Sequence, residues 1–138
     1  MTLPAWMLLG FALWTLALLA LTVGVHRWSR VLAGRAGLAD FPADGAQGPA
    51  WYCRAMRAHA NCVENLPVFA SLVVVLLHAG IGGTAVDVLS AIVLPARIAQ
   101  SLVHVTRVQT NGWVAVRFSC YLLQVCAFIG LGLLAATC

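Results

Sequence analysis

The chain is predicted to be an all-α integral membrane protein, a bundle of four transmembrane helices, and three observations predict it. Of its 138 residues, 62% are apolar and 9% charged, against roughly half and about a quarter in an ordinary soluble domain. Four stretches reach the roughly 20 mostly apolar residues that a bilayer-spanning helix needs. The basic residues, eight arginines and no lysine, gather beside two of the three connections between those stretches. Once four spans are subtracted, too little chain remains for a second folded unit, so residues 1–138 are expected to form a single membrane domain.

The first span is expected over about residues 3–25, which carry no charge. It is too long for the core of a secretory signal, has no positive residue before it, and reads as a retained helix. Trp6 and Trp28 stand near its two ends, where amphipathic rings anchor a helix at the interface. The connection that follows, a cytoplasmic loop of about 26–53, contains Asp40, Pro42, Asp44, Gly45, Gly48 and Pro49, which is turn chemistry. The second span is expected at about 61–79 and the third at about 84–105, separated by Gly80-Ile81-Gly82-Gly83. The third is the weakest, because Pro95, Arg97, Gln100 and His104 interrupt one half of it. The fourth is expected at about 114–137.

Arginine collects on the cytoplasmic side of a membrane, so its distribution sets the orientation. Arg27, Arg30, Arg35, Arg54 and Arg57 cluster around the first connection, Arg107 lies in the third with Arg97 and Arg117 nearby, and the second has none. Both termini are therefore expected outside. The net charge of +4 does not point to nucleic acid, whose partners need basic residues on a solvated face.

The five cysteines, Cys53, Cys62, Cys120, Cys126 and Cys138, contain no C-x-x-C pair, which disfavours a zinc site or a disulfide framework. His78 and His104 fall near opposite membrane faces in this topology and cannot share one haem. No metal is expected.

Chemistry concentrates in three polar stripes. On a helix turning about 100° per residue, Arg54, Arg57, Asn61, Glu64 and Asn65 fall within about 100° of one another, with His59 pointing away. Arg97, Gln100, Ser101, His104 and Arg107 share a third of the next helix, and Arg117, Tyr121 and Gln124 recur at i, i+4 and i+7 on the last. A charged residue within a span costs roughly 2.5–3.5 kcal/mol on insertion scales and usually marks a functional cavity. Glu64 pairing with Arg57 or with an arginine of another helix, with the amides tying helices together, is the structural alternative. Three stripes at one depth favour a cavity on the cytoplasmic half. Four arginines and one carboxylate suit a ligand with carboxylates and one amine, because guanidinium grips carboxylate through two parallel bonds. Glutathione has two carboxylates, one ammonium and a thiol, and an arginine beside that thiol favours its thiolate.

The run Arg54-x-x-Arg57-Ala-His59-x-Asn61-x-x-Glu64-Asn65-x-Pro67-x-Phe69, with Ala96-Arg97 in the third span and Arg117 opening the fourth, resembles the MAPEG family. These are membrane-associated proteins in eicosanoid and glutathione metabolism, among them the microsomal glutathione transferases. The resemblance covers essentially the whole chain and is strongest to short bacterial members. It implies a homotrimer in a bacterial inner membrane, with glutathione bound between subunits near the cytoplasmic face. It also implies that Arg57, Asn61, Glu64 and Arg97 contact glutathione and that Arg117 activates its thiol. Arg54, Asn65, Gln100, His104 and Tyr121 complete the expected binding set. Asn65, Gln100 and His104 stand where leukotriene-forming synthases carry tyrosines, which argues against a dedicated eicosanoid synthase. The expected function is a glutathione-dependent transferase or peroxidase attacking lipophilic electrophiles or hydroperoxides amid membrane lipids. The alternatives are a four-span multidrug transporter built on Glu64 and a catalytically silent membrane scaffold.

Overall fold

A computed structural model describes residues 1–41 and 47–137; Pro42, Asp44 and Gly45 of the expected loop, and Cys138, lie outside the described residues. Four long helices follow one another: α1 Leu3–Leu32, α2 Ala50–His78, α3 Thr84–Thr106 and α4 Asn111–Thr137. Each is long and apolar enough to cross a membrane. The described residues contain no strand, and a single 3₁₀ turn, Leu38–Asp40, lies in the first connection. Large apolar side chains are exposed along all four helices, among them Leu13, Leu16, Leu21, Val74, Phe118 and Ile129. An outer surface of that kind requires a bilayer around it.

Two of the helices reach well beyond the stretches that hydropathy marks. Helix α1 continues to Leu32 and α2 begins at Ala50, so both ends of the expected 26–53 loop are helical and only 33–49 connects them. Hydropathy reports bilayer thickness, whereas a helix runs on until something stops it. What stops α1 is Gly34, in the left-handed region at φ +65°, with Arg35 N–H donating to Arg30 C=O at 2.9 Å and Gly34 N–H to Val31 C=O at 3.0 Å. Gly80, at φ +68°, ends α2 with the same pair of bonds, Ile81 to Leu76 and Gly80 to Leu77. This closure satisfies the last carbonyls and needs a residue without a Cβ penalty. Pro49 opens α2, where no backbone N–H is missed.

The extensions are clamped together. Arg27 Nε donates to Tyr52 Oη at 2.7 Å, and its guanidinium lies over the rings of Phe41 (5.4 Å) and Tyr52 (5.9 Å). His26 packs against Trp51 and Tyr52, and Tyr52 is buried.

Toward the α2–α3 turn the interior is apolar. Phe11 of α1, Phe69 of α2 and Phe128 of α4 form a chain of rings with centroids 6.1 and 5.8 Å apart, surrounded by Val73, Leu76, Val93 and Leu131. Inside a bilayer apolar transfer gives little drive between helices, so it is this close packing that holds them. Several hydroxyls on the helices are satisfied by the carbonyl one turn back, as in Thr15 to Phe11 and Ser101 to Arg97. Over one short stretch, Leu19–Gly24, α1 widens into a π-helical turn, with Thr22 Oγ1 donating to Leu18 C=O. Helices α3 and α4 form the most extensive pairing in the bundle.

Candidate functional site

At the end of the bundle near residues 107–110, the facing sides of α2, α3 and α4 leave two adjoining recesses of about 370 Å³ each. Asn61, Glu64, His104 and Arg117 line both. One recess is lined further by Asn65, Gln100 and Tyr121 and by an apolar wall of Val114 and Phe118. The other opens past Arg57, Ala60 and Gln109. Each falls within the roughly 300–1,000 Å³ typical of small-molecule sites.

Helical geometry puts these side chains where they are. Arg57, Asn61, Glu64 and Asn65 follow the i, i+4, i+7, i+8 pattern of one helix face, and Gln100 and His104 are one turn apart on α3. On α4, Val114, Arg117, Phe118 and Tyr121 recur at i, i+3, i+4 and i+7. Asn65 Nδ2 donates to Asn61 C=O at 2.7 Å, which leaves the Asn65 side-chain oxygen as its free end. Among the described residues, no hydrogen bond or ion pair within the chain engages Arg57, Arg117 or Glu64. Arg117, Arg57 and Arg54 all stand near enough to His104 for their charges to act on it.

Eight of the ten residues singled out from the sequence thus line one cavity, and two do not. Arg54 lies at the margin, its Nε donating to the C=O of Val105 at 3.2 Å near the end of α3. Arg97 lies under the cavity, 1% exposed, with its guanidinium 5.3 Å from the Phe11 ring centre and Nε and Nη2 without partners. Cys62, Tyr121 and Glu64 are its acidic neighbours, and of these Glu64 is the carboxylate. Angular position alone gave both arginines a place on a stripe; what separates them from Arg57 and Arg117 is which neighbour the side chain meets.

Several lining residues were missed by a search for polar stripes. Val114 and Phe118 are apolar, and their i, i+4 relation to each other, with Tyr121 at i+7, was the available signal. Gln109 sits in the α3–α4 connection, where no helical periodicity applies. Gln124, recognised as part of the α4 stripe, lies beneath the cavity, fully buried, and donates through Nε2 to Gln100 Oε1 at 3.0 Å and to Cys120 C=O at 2.9 Å.

The lining carries two guanidinium groups, Arg57 and Arg117, against one carboxylate, Glu64. It can therefore attract a ligand of net charge about −1 that has acidic groups for the arginines and a basic one for the glutamate. Among the described residues, no three His, Cys, Asp or Glu side chains come together as a metal site.

Four apolar helices, three of which border an arginine-bearing cavity at one end of the bundle, define a small polytopic helical membrane protein. The model of the MAPEG family matches residues 3–137, nearly the whole chain. The protein belongs to the MAPEG family. Comparison with curated proteins and with solved structures finds no match.

Proposed function

We propose that the protein is a glutathione-dependent transferase or peroxidase, using the α2–α4 cavity to present the glutathione thiolate to lipophilic electrophiles or hydroperoxides. Family membership links the chain broadly to glutathione in membranes. The observation that carries the reading further is the cavity's charge pattern: Arg57 and Arg117, unengaged within the chain, line one recess together with Glu64. At neutral pH glutathione has two carboxylates and one ammonium, the complementary set.

In this reading Arg57 holds a carboxylate through two parallel bonds, Glu64 receives the ammonium, and the Asn61 amide bonds the peptide backbone. Arg117 faces the sulfur and stabilises its negative charge through a preorganised donor, in a site where low dielectric strengthens the interaction. When bound, glutathione supplies the nucleophilic sulfur. The wall of Val114 and Phe118 gives an apolar co-substrate arriving from the bilayer a surface to lie on.

The homotrimer is part of the proposal. Arg57, Glu64 and Tyr121 are exposed on the single subunit, and charged groups facing acyl chains are costly. A neighbouring copy covering this mouth removes that cost and makes the site intersubunit. The orientation proposed with it puts both termini outside and the cavity toward the cytoplasm of a bacterial inner membrane, following the arginines.

A multidrug carrier built on Glu64 would hold cations, and the two arginines around that carboxylate oppose it. Isothermal titration of glutathione into the detergent-purified protein, read alongside thiolate absorbance, tests the proposal. Binding with a rise in thiolate absorbance is expected, and no heat at millimolar glutathione overturns it.

A further inference from the structure

Beneath the cavity, two buried glutamines form a pair whose direction can be worked out. Gln124 Nε2 lies 2.9 Å from the C=O of Cys120. A backbone carbonyl only accepts, so the Gln124 group there must be the NH₂. The same NH₂ lies 3.0 Å from a Gln100 side-chain atom. That atom must be an oxygen, because two amide nitrogens in that position would oppose donor to donor. Turning Gln124 over would set its oxygen against the Cys120 oxygen, so the alternative arrangement fails there whichever way Gln100 is turned. The Gln100 oxygen is thereby occupied from below. Its NH₂, which has no hydrogen bond within the described residues, is the end left for the cavity that Gln100 lines.

The arrangement is not one that stability alone would select. Gln124 is fully buried, and its Oε1 has no partner, a condition that costs free energy anywhere and more so in a membrane span. Two apolar side chains would avoid that cost.

We infer that the inner end of the cavity is a hydrogen-bond donor subsite, formed by the Gln100 NH₂, for a carboxylate or carbonyl oxygen of the bound ligand, and that Gln124 is the positioning residue that keeps this NH₂ facing inward. The ligand's identity as glutathione rests on the function proposed above; the donor sense of the subsite does not. On this arrangement Asn65 and Gln100, both lining the recess, serve opposite roles: Asn65 presents an oxygen because its nitrogen is engaged by Asn61, and Gln100 presents a nitrogen because its oxygen is engaged by Gln124. The inner end therefore discriminates against a ligand that places a donor beside Gln100.

The test is side-chain amide NMR of the whole protein in detergent micelles, with the two signals assigned by their loss in Gln100→Leu and Gln124→Leu. The Gln124 NH₂ is expected to exchange slowly with deuterium and the Gln100 NH₂ quickly. The Gln100 signal is expected to shift on titration with glutathione and, separately, with acetate. A shift with acetate but not glutathione supports the donor subsite while removing the glutathione reading. The reverse exchange order, or no shift with either titrant, overturns the inference. In binding assays Gln124→Leu is expected to weaken glutathione about fivefold, as for loss of one hydrogen bond. Gln100→Leu combined with it should be no weaker than Gln100→Leu alone, because Gln124 acts through Gln100. Additive losses overturn the positioning role.

Discussion

Two regions of the protein hold arginines in opposite states. In the clamp between the end of α1 and the start of α2, Arg27 is provided with partners by the chain itself: the Tyr52 hydroxyl, the Phe41 and Tyr52 rings, and the Met56 sulfur at 3.8 Å. In the cavity, Arg57 and Arg117 have none within the chain. The residue type and the end of the bundle are shared, so neither explains the difference. What distinguishes a structural arginine from a binding one here is whether the fold has already satisfied its donors. A planar group with five N–H donors left unengaged in a recess is poised for something from outside.

The sharpest way to break this comparison is Arg117→Ala. If Arg117 is the donor facing the sulfur, its loss should reduce conjugation rate by 100-fold or more, about 3 kcal/mol, the scale for removing one preorganised donor from an anion-stabilising site. Thermal stability and oligomer size should stay unchanged, since no intrachain hydrogen bond or ion pair is lost. Conjugation assayed beside thiolate absorbance reads the first, and light scattering in detergent the second. Unchanged conjugation removes Arg117 from this role.

The clamp should give the mirror result. Tyr52→Phe keeps the ring stack and deletes the oxygen that accepts from Arg27, a hydrogen bond to a charged group worth about 1.5–3 kcal/mol. Thermal denaturation in detergent should show a drop in Tm, while glutathione affinity stays within twofold. A loss of affinity without loss of Tm would show that the two regions are not separable.

These contrasts also show how much was legible in the sequence. Four spans follow from composition and length because a bilayer imposes both, and one face of α2 follows from 100° per residue. Which of the stripe arginines reach the cavity could not follow, since periodicity sets the angle at which a side chain leaves the helix and not the neighbour it meets. Arg97 shows this: its stripe position is as good as that of Gln100, yet α1 brings Phe11 over its guanidinium and closes it off. The Gln100–Gln124 bond links helices whose relative register no single-helix pattern contains. The helical ends at Leu32 and Ala50 were hidden because hydropathy detects only what lies in the bilayer.

Arg97 sharpens the comparison, being neither satisfied like Arg27 nor open like Arg57. Two of its nitrogens are buried without partners, so Arg97→Met, similar in length and apolar, should leave Tm unchanged or raise it, because removing a buried charge whose donors are unmet relieves its desolvation. A buried charge still acts on the cavity above it through low dielectric. Glutathione affinity should therefore fall by about tenfold, near 1.4 kcal/mol, with titration calorimetry as the readout. An unchanged affinity would make Arg97 irrelevant to the site.

The smallest expected effect separates two arginines one turn apart. Arg54 and Arg57 share a face of α2, but Arg54 donates to the Val105 carbonyl at 3.2 Å, whereas Arg57 lines the outer recess with its donors unengaged. If partner supply decides the role, Arg54→Gln should change glutathione affinity by less than about threefold, under 1 kcal/mol, and lower Tm slightly through the lost contact with α3. Arg57→Gln should leave Tm alone and weaken glutathione by at least tenfold, as expected for removing a charged hydrogen-bond donor. Equal losses of affinity from both would mean that ligand binding recruits Arg54 away from Val105. The determinant would then be the charge density of the stripe as a whole, and the distinction between satisfied and open arginines would fail at its closest pair.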